Sequence, residues 1–295
     1  LDNFSSGHSW ACTDCKVFRA DLLDVDSMLQ IFLHNNIDAV IHFAGKSIVS
    51  ESILNPSYYY ANNVVGTLNL LDAMIKNNVN KIVFSSSAAI FGNPVKKNID
   101  ESHPKKPINP YGQSKLIVEK VLSDYVNAYD IKATALRYFN AAGAHESSLI
   151  GEAHDPETHL IPNTLKAALD KEAVLKVFGD KHPTKDGTCI RDYVHVSDLA
   201  RAHLLALNFM DNNSGFHAFN LGNGSGFSVY EIINSCELIT GKDIDVKICP
   251  SREGDPPSLV ADSSLAKEKL KWRPEYTEIE KVIETAWKWH KLRMT

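Results

Sequence analysis

The sequence predicts an α/β protein built on a parallel sheet, and three observations carry that reading. Short apolar runs alternate with helical patterns through the first half. Lys81-Ile-Val-Phe-Ser-Ser-Ser87 reads as a buried strand that runs into polar residues at its C-terminal end. Beyond Asn140 the alternation breaks into loop-rich sequence and then further helices, which predicts a second, smaller α/β portion. The expected strands are Lys16–Arg19, Ala39–Phe43, Lys81–Ser86 and Ala133–Tyr138. Helical patterns lie at Val25–Asn35, Pro56–Asn77 and Pro110–Ala128, so the strands are joined by right-handed crossovers. Pro110 suits a first helical turn with Asn109 as its cap, and Leu116, Val118, Val121, Leu122 and Tyr125 follow at near-helical spacing. Later helices are expected at Leu160–Leu169, Ser197–Met210, Ser228–Gly241, Ser263–Leu270 and Ile279–Leu292. Ser228 and Glu231 have the spacing of a capping box. The division falls at residues 1–140 and 141–295, with the chain crossing back to the first lobe.

Composition excludes several classes of function. The 31 basic and 36 acidic residues give a net charge of −5, with no basic stripe for a nucleic acid and no apolar run of membrane-spanning length. The 295 residues offer ample surface to bury. Five cysteines form an odd set, which argues against a disulfide framework and for a reducing, cytoplasmic compartment. Cys12-Thr-Asp-Cys15 has metal-ligand spacing but no second close pair, so surface-loop thiols are expected and no metal.

The chemistry is concentrated in Tyr111-Gly-Gln-Ser-Lys115 and the serines 85–87 upstream of it. Residues four apart share a helix face, with about 5–6 Å between Cβ atoms. A phenol that ordinarily titrates near pH 10 must drop by roughly 3 units to act as a base at neutrality. One positive charge at about 4 Å supplies energy of that order, so Lys115 is expected to lower Tyr111. A serine hydroxyl bridging phenol and substrate completes a relay that takes a proton from an alcohol. Strand ends that feed helices are where open α/β sheets bind ligands.

Motifs along the chain make the reading more specific. They are Val40-Ile-His-Phe-Ala-Gly45, Asn62-Asn-Val-Val-Gly-Thr67, Phe84-Ser-Ser-Ser-Ala88 and Pro110-Tyr-Gly-Gln-Ser-Lys115, then Leu136-Arg-Tyr-Phe-Asn140, Arg191-Asp-Tyr-Val-His-Val196, Asn220-Leu-Gly222 and Arg252-Glu-Gly-Asp255. In this order the chain resembles the UDP-glucose (UDP-galactose) 4-epimerase group of the extended short-chain dehydrogenase/reductase family. The resemblance implies a Rossmann-like, doubly wound parallel sheet with a smaller substrate-binding portion. Such a fold opens with a strand, a glycine-rich turn and a helix that receives the cofactor pyrophosphate. Nothing before Leu1-Asp-Asn3 supplies these parts. The expectation is therefore a chain lacking roughly the first thirty residues of the fold, binding NAD weakly and having little activity alone.

The resemblance also implies roles. Tyr111 is the base, Lys115 orients the nicotinamide ribose, and Ser87 hydrogen-bonds the reacting sugar oxygen. Asp2, Asn3, Asp21 and Leu22 fall at the adenosine end of NAD, and Phe43, Ala44 and Gly45 at its pyrophosphate. Ser85 faces the cofactor, and Tyr138 forms a wall of the nicotinamide pocket. Asn62 either accompanies the cofactor or caps a helix. The family's lysine two residues beyond the glycine is absent: Ser47 stands there, with Lys46 before it. Asn140, His159, Leu160, Phe178, Arg191, Arg252 and Asp255 match nucleotide-sugar ligands, with Phe178 on uracil and two arginines suited to a diphosphate. Leu259 falls at a gate beside the sugar's 2-substituent. His42, His195 and His203 look structural. Gly222-Asn-Gly-Ser-Gly226 reads as a tight turn near the substrate nucleotide, its spacing fitting a dinucleotide fingerprint poorly.

The implied reaction is reversible inversion at C4 of a UDP-hexose through a 4-keto sugar, with NAD as a resident hydride carrier, in a homodimer. A 4,6-dehydratase is the nearest rival. It needs a carboxyl pair after the strand-end hydroxyl, where this chain has Ala88-Ala89-Ile90. A UDP-sugar-binding remnant without catalysis is the rival of another class.

Overall fold

The computed structural model describes residues 1–12, 15–170, 172–252 and 255–294. Glu253 and Gly254 of the Arg252–Asp255 motif, and Thr13 and Asp14 between the paired cysteines, lie outside the described residues. The chain begins with α1 (Val25–Leu33), β1 (Val40–His42), α2 (Val49–Leu54), α3 (Pro56–Tyr60), α4 (Gly66–Lys76) and β2 (Lys81–Ser87). There follow α5 (Pro110–Ala128), β3 (Lys132–Tyr138), β4 (Asn140–Ala142), α6 (Leu160–Leu169), β5 (Leu175–Phe178), β6 (Ile190–His195) and α7 (Val196–Asn212). Last come β7 (Phe216–Leu221), β8 (Gly226–Ser228), α8 (Val229–Thr240), β9 (Val246–Cys249), β10 (Ser258–Leu259), α9 (Ser264–Lys269) and α10 (Ile279–Met294).

Two compact units share these elements. The first comprises Leu1–Gly92, Pro104–Arg137 and His203–Phe219; the second comprises Asn93–His103, Tyr138–Ala202 and Asn220–Thr295. Neither is a continuous stretch.

The first unit is built on the sheet β1-β2-β3-β7, in which β1 and β2 pair in parallel with Val40 opposite Ile82 and His42 opposite Phe84. Its core joins Met28 and Phe32 of α1, Leu70, Leu71 and Met74 of α4, Ile82 and Phe84 of β2, and Val118 and Leu122 of α5. Each such side chain removed from water stabilises the fold by about 1.5–3 kcal/mol. Two expectations need correction here. Lys16–Arg19 is not a strand: an isolated parallel bridge joins Asp2 to Arg19, because the backbone of Asp2 alone bonds both Phe18 and Ala20. The expected helix Pro56–Asn77 is interrupted by a π-helical turn at Ala61–Val65. Helix α2, short and rich in serine, carried no apolar period to reveal it.

In the second unit β6 is central. It pairs in parallel with β4 and β10 and antiparallel with β8, while β5 and β9 form a separate parallel pair. Helices α6, α8 and α10 share a core that includes Ile161, Leu165, Ile232, Ile233, Val282 and Ile283. The capping box is present: Ser228 accepts from the Glu231 amide, and the Glu231 carboxylate accepts from the Ser228 amide.

Candidate active site

Strand β2 is buried through Ser86 and delivers Ser87 to its open end. There the Ser87 hydroxyl caps a 3-10 turn, Ala88–Ile90, by accepting the Ala89 amide at 3.2 Å. Helix α5 starts where the sequence placed it. Asn109 caps it by accepting the Gly112 amide at 2.8 Å, and Pro110 occupies the first turn. A Cβ at Gly112 would stand 2.4 Å from the Ala89 carbonyl oxygen, so glycine lets the helix start seat directly on the turn. That approach brings the Tyr111 phenol near the Ser87 hydroxyl.

Lys115, one helical turn on, is buried and donates to the Ser85 carbonyl at 2.8 Å. Its ammonium lies 4.9 Å from the centre of the Phe84 ring and 5.9 Å from that of Tyr111. Burial pushes Lys115 down to about 8. Tyr111 lies above its ordinary value: burial raises it, and the Ser87 hydrogen bond pulls the other way. The expected lowering of the phenol by Lys115 is not seen in the protein alone: desolvation raises Tyr111, and the opposing pull comes from Ser87.

Several residues that sequence reasoning passed over hold this arrangement. Glu119 of α5 accepts the Ser86 hydroxyl at 2.6 Å and receives Arg137 bidentately at 2.8 and 2.6 Å, all buried. Asn63 is the buried asparagine, not Asn62. It takes the Lys46 amide at 2.8 Å and donates to the Lys46 carbonyl and the Ser114 hydroxyl, both at 3.0 Å. Asn62 is partly buried and donates to the side-chain oxygen of Asn63 at 2.9 Å. The turn after β1 is thereby fixed beside α5, and a Cβ at Gly45 would lie 3.2 Å from the Lys115 ammonium. Lys46 itself reaches Ser5 at 3.0 Å.

The remaining first-unit candidates divide into two kinds. Asn3 donates to Asp21 at 2.7 Å, and the Asp2–Arg19 bridge places Asp2 in the same neighbourhood. Phe43 is exposed and tilted against His203 at 4.6 Å, and Ala44 is exposed beside it. Leu22, by contrast, is a core residue whose Cβ approaches the position a Cβ on Gly66 would take, at 3.0 Å.

The second unit gathers the other candidates. Arg191 on β6 donates to the carbonyls of Ile190 and Pro256, both at 2.8 Å, and pairs with Asp255. Arg252 donates to the other Asp255 oxygen at 3.0 Å and lies 4.8 Å over the Phe178 ring. Leu259 stands opposite Arg191 in the β10–β6 register, and Asn140 opposite Tyr193 in the β4–β6 register. No local Arg191–Asp192 pair forms. Asp192 is buried beneath the glycine turn, accepting the amides of Asn223, Gly224 and Ala261, and burial raises it to about 6. His159 pairs with Glu152, and Leu160 packs on the core as the first residue of α6. Tyr138 is partly buried at the end of β3.

A parallel α/β unit with serine, tyrosine and lysine gathered at one strand end is that of a short-chain dehydrogenase/reductase. The model of the NAD dependent epimerase/dehydratase family matches residues 1–222, and the chain belongs to that family. The UDP-glucose 4-epimerase of Halalkalibacterium halodurans is 48% identical over 291 residues, 99% of this chain and 87% of the relative. The Brucella ovis UDP-glucose 4-epimerase in complex with NAD superposes with a TM-score of 0.93 at 46% identity, covering 97% of this chain and 88% of that one. That of Bifidobacterium longum in complex with NAD+ and UDP gives 0.94 at 39% identity, over 99% and 90% of the two chains. Matches of this extent do not bear out the expectation of an inactive remnant. No helix among the described residues is long and apolar enough to cross a membrane.

Proposed function

We propose that the chain interconverts UDP-glucose and UDP-galactose by inversion at C4, with NAD resident in the site. The observation that carries this reading is the meeting of Tyr111, Ser87 and Lys115 at the end of β2. The first unit suits the cofactor. Gly45 leaves bare backbone beside Lys115, and Asp2, Asn3 and Asp21 offer acceptors and donors for a ribose. In this reading Phe43, Ala44 and Gly45 flank the pyrophosphate with Asn62, Leu22 contributes backbone, and Ser85 and Tyr138 border the nicotinamide. Bound NAD supplies the acceptor and donor for the hydrogen of C4.

The chain's own residues move the proton. Tyr111 takes it from the 4-hydroxyl, Ser87 holds the same oxygen, and the Lys115 ammonium favours the phenolate against the burial that opposes it. Once the flat 4-keto sugar has turned its other face, Tyr111 returns the proton. Inversion needs a firm grip on UDP and a loose one on the hexose. Arg191 and Arg252 suit the diphosphate, Asp255 the ribose and Phe178 the uracil, with Leu160 and Asn140 as further contacts, while His159 is turned onto Glu152. Leucine at 259 leaves room for a 2-substituent. Ile53, Leu54, Tyr58 and Val65 are exposed apolar side chains within one stretch of the first unit, which supports a homodimer. Five free cysteines agree with a cytoplasmic setting.

UDP-galactose deuterated at C4 tests the reaction. UDP-glucose that keeps its deuterium at C4 is expected. A 6-deoxy-4-keto product would select the dehydratase, and UDP binding without turnover the remnant.

A further inference from the structure

Four side chains in the segment leading into α6 close on one another. Glu152, His154, Glu157 and His159 each present one ligating atom, and these atoms all lie within 4.8 Å of one another. We propose that the four hold a divalent transition-metal ion of the zinc class, which fastens this segment ahead of α6. The inference does not draw on the epimerase reading.

The donor set is two imidazole nitrogens and two carboxylate oxygens, a combination that suits zinc better than magnesium or calcium. Nδ1 of His154 lies 3.0 Å from Oε1 of Glu152 and 3.8 Å from Oε1 of Glu157, and Nδ1 of His159 also meets Oε1 of Glu152. Ligands about 2.0–2.1 Å from a tetrahedral zinc stand roughly 3.4 Å apart, so small side-chain shifts admit the ion. A second observation points the same way. The Glu157 side chain is only 3% exposed, and its Oε2 has no hydrogen-bond partner among the described residues. Oε1 of Glu157 is held by the amides of Thr158 at 2.7 Å and His159 at 2.9 Å.

The frame is already built. Trp289 donates from its indole to the Glu152 carbonyl at 2.8 Å, and a Cβ at Gly151 would stand 2.5 Å from the same ring. A cavity of about 710 Å³, lined by Glu152, His154 and His159 together with His145, Glu146 and Tyr276, gives a route of entry. Without an ion, protons on the two imidazoles would balance the carboxylates, and the cluster would be a set of ion pairs.

The test is titration of the chelator-treated full chain with zinc chloride by calorimetry, and with cobalt(II) by visible absorption. One saturable site is expected, weakened by about a hundredfold in His154→Gln and in Glu152→Gln. A Cys12→Ser, Cys15→Ser double variant is expected to bind as the parent does. Absence of saturable zinc binding overturns the proposal, as does retention of full affinity in both ligand variants or its loss in the cysteine variant. The cobalt spectrum needs no variant: d–d bands without thiolate charge transfer support the assignment, and thiolate bands contradict it.

Discussion

Gly112 of α5 stands against Ala89 so closely that a Cβ there would lie 2.4 Å from the Ala89 carbonyl oxygen. The helix start and the turn after β2 are therefore in backbone contact, and Tyr111 and Ser87 flank that contact. Gly112→Ala is expected to force the two apart. Overpacking of this kind costs about 1–3 kcal/mol, partly offset by alanine's better helix propensity. A displacement near 1 Å at the reacting groups is expected to lower turnover by about a hundredfold. Thermal unfolding and turnover of UDP-galactose check both effects, and an unchanged rate would show that the contact does not position the phenol.

Asn63 and Asn62 separate by the same logic. Removing Asn63 leaves unmade bonds at the partly buried Lys46 backbone and the buried Ser114 hydroxyl. Asn63→Ala is expected to lose about 2–4 kcal/mol of stability, and Asn62→Ala about 1 kcal/mol or less. Urea titration of the two variants gives the comparison; equal losses would contradict it.

Lys115 gives the rate an alkaline limit. Burial brings its ammonium down to about 8, so the charge that favours proton removal is present below that value and lost above it. Tyr111 lies above its ordinary value, so its own ionisation does not compensate near pH 8. The profile of kcat/KM is expected to fall as pH rises through about 8, and Lys115→Arg, which keeps its charge, to abolish that fall. A parent profile that stays flat well past this value would remove Lys115 as the titrating group.

His42 sets an acid limit on stability. It is buried, shares a 2.8 Å hydrogen bond with Thr67, and is pushed down from 6.5 to about 3 by burial and then by Lys115. Between those two values the unfolded chain binds a proton that the folded chain refuses. Its contribution is therefore complete above pH 6.5 and declines as pH falls toward 3. Urea unfolding at about pH 7 and pH 4.5 is expected to show a smaller difference for His42→Gln than for the parent.

How far the sequence disclosed all this depends on the kind of signal. Helix α5 was legible to the residue, because Asn109 and Pro110 mark its start and the apolar positions keep a helical period. The same holds for α6 and for the Ser228 capping box. Asn63 was not legible. The π-helical turn at Ala61–Val65 breaks the 3.6-residue period, so the reading along the expected helix could not tell which asparagine turns inward. Lys16–Arg19 has the residues of a strand, but the single Asp2–Arg19 bridge leaves no ladder and so no period. Gly112 and Glu119 act through contacts with residues far along the chain, which spacing does not encode.

The measurement that tests the central claim most directly is the turnover of Tyr111→Phe, with UDP binding and thermal unfolding recorded on the same protein. Loss of the phenol that meets Ser87 is expected to lower kcat by about 10²–10⁴ while UDP binding and fold persist. A rate close to that of the parent would contradict the assignment of Tyr111 as the group that carries the proton.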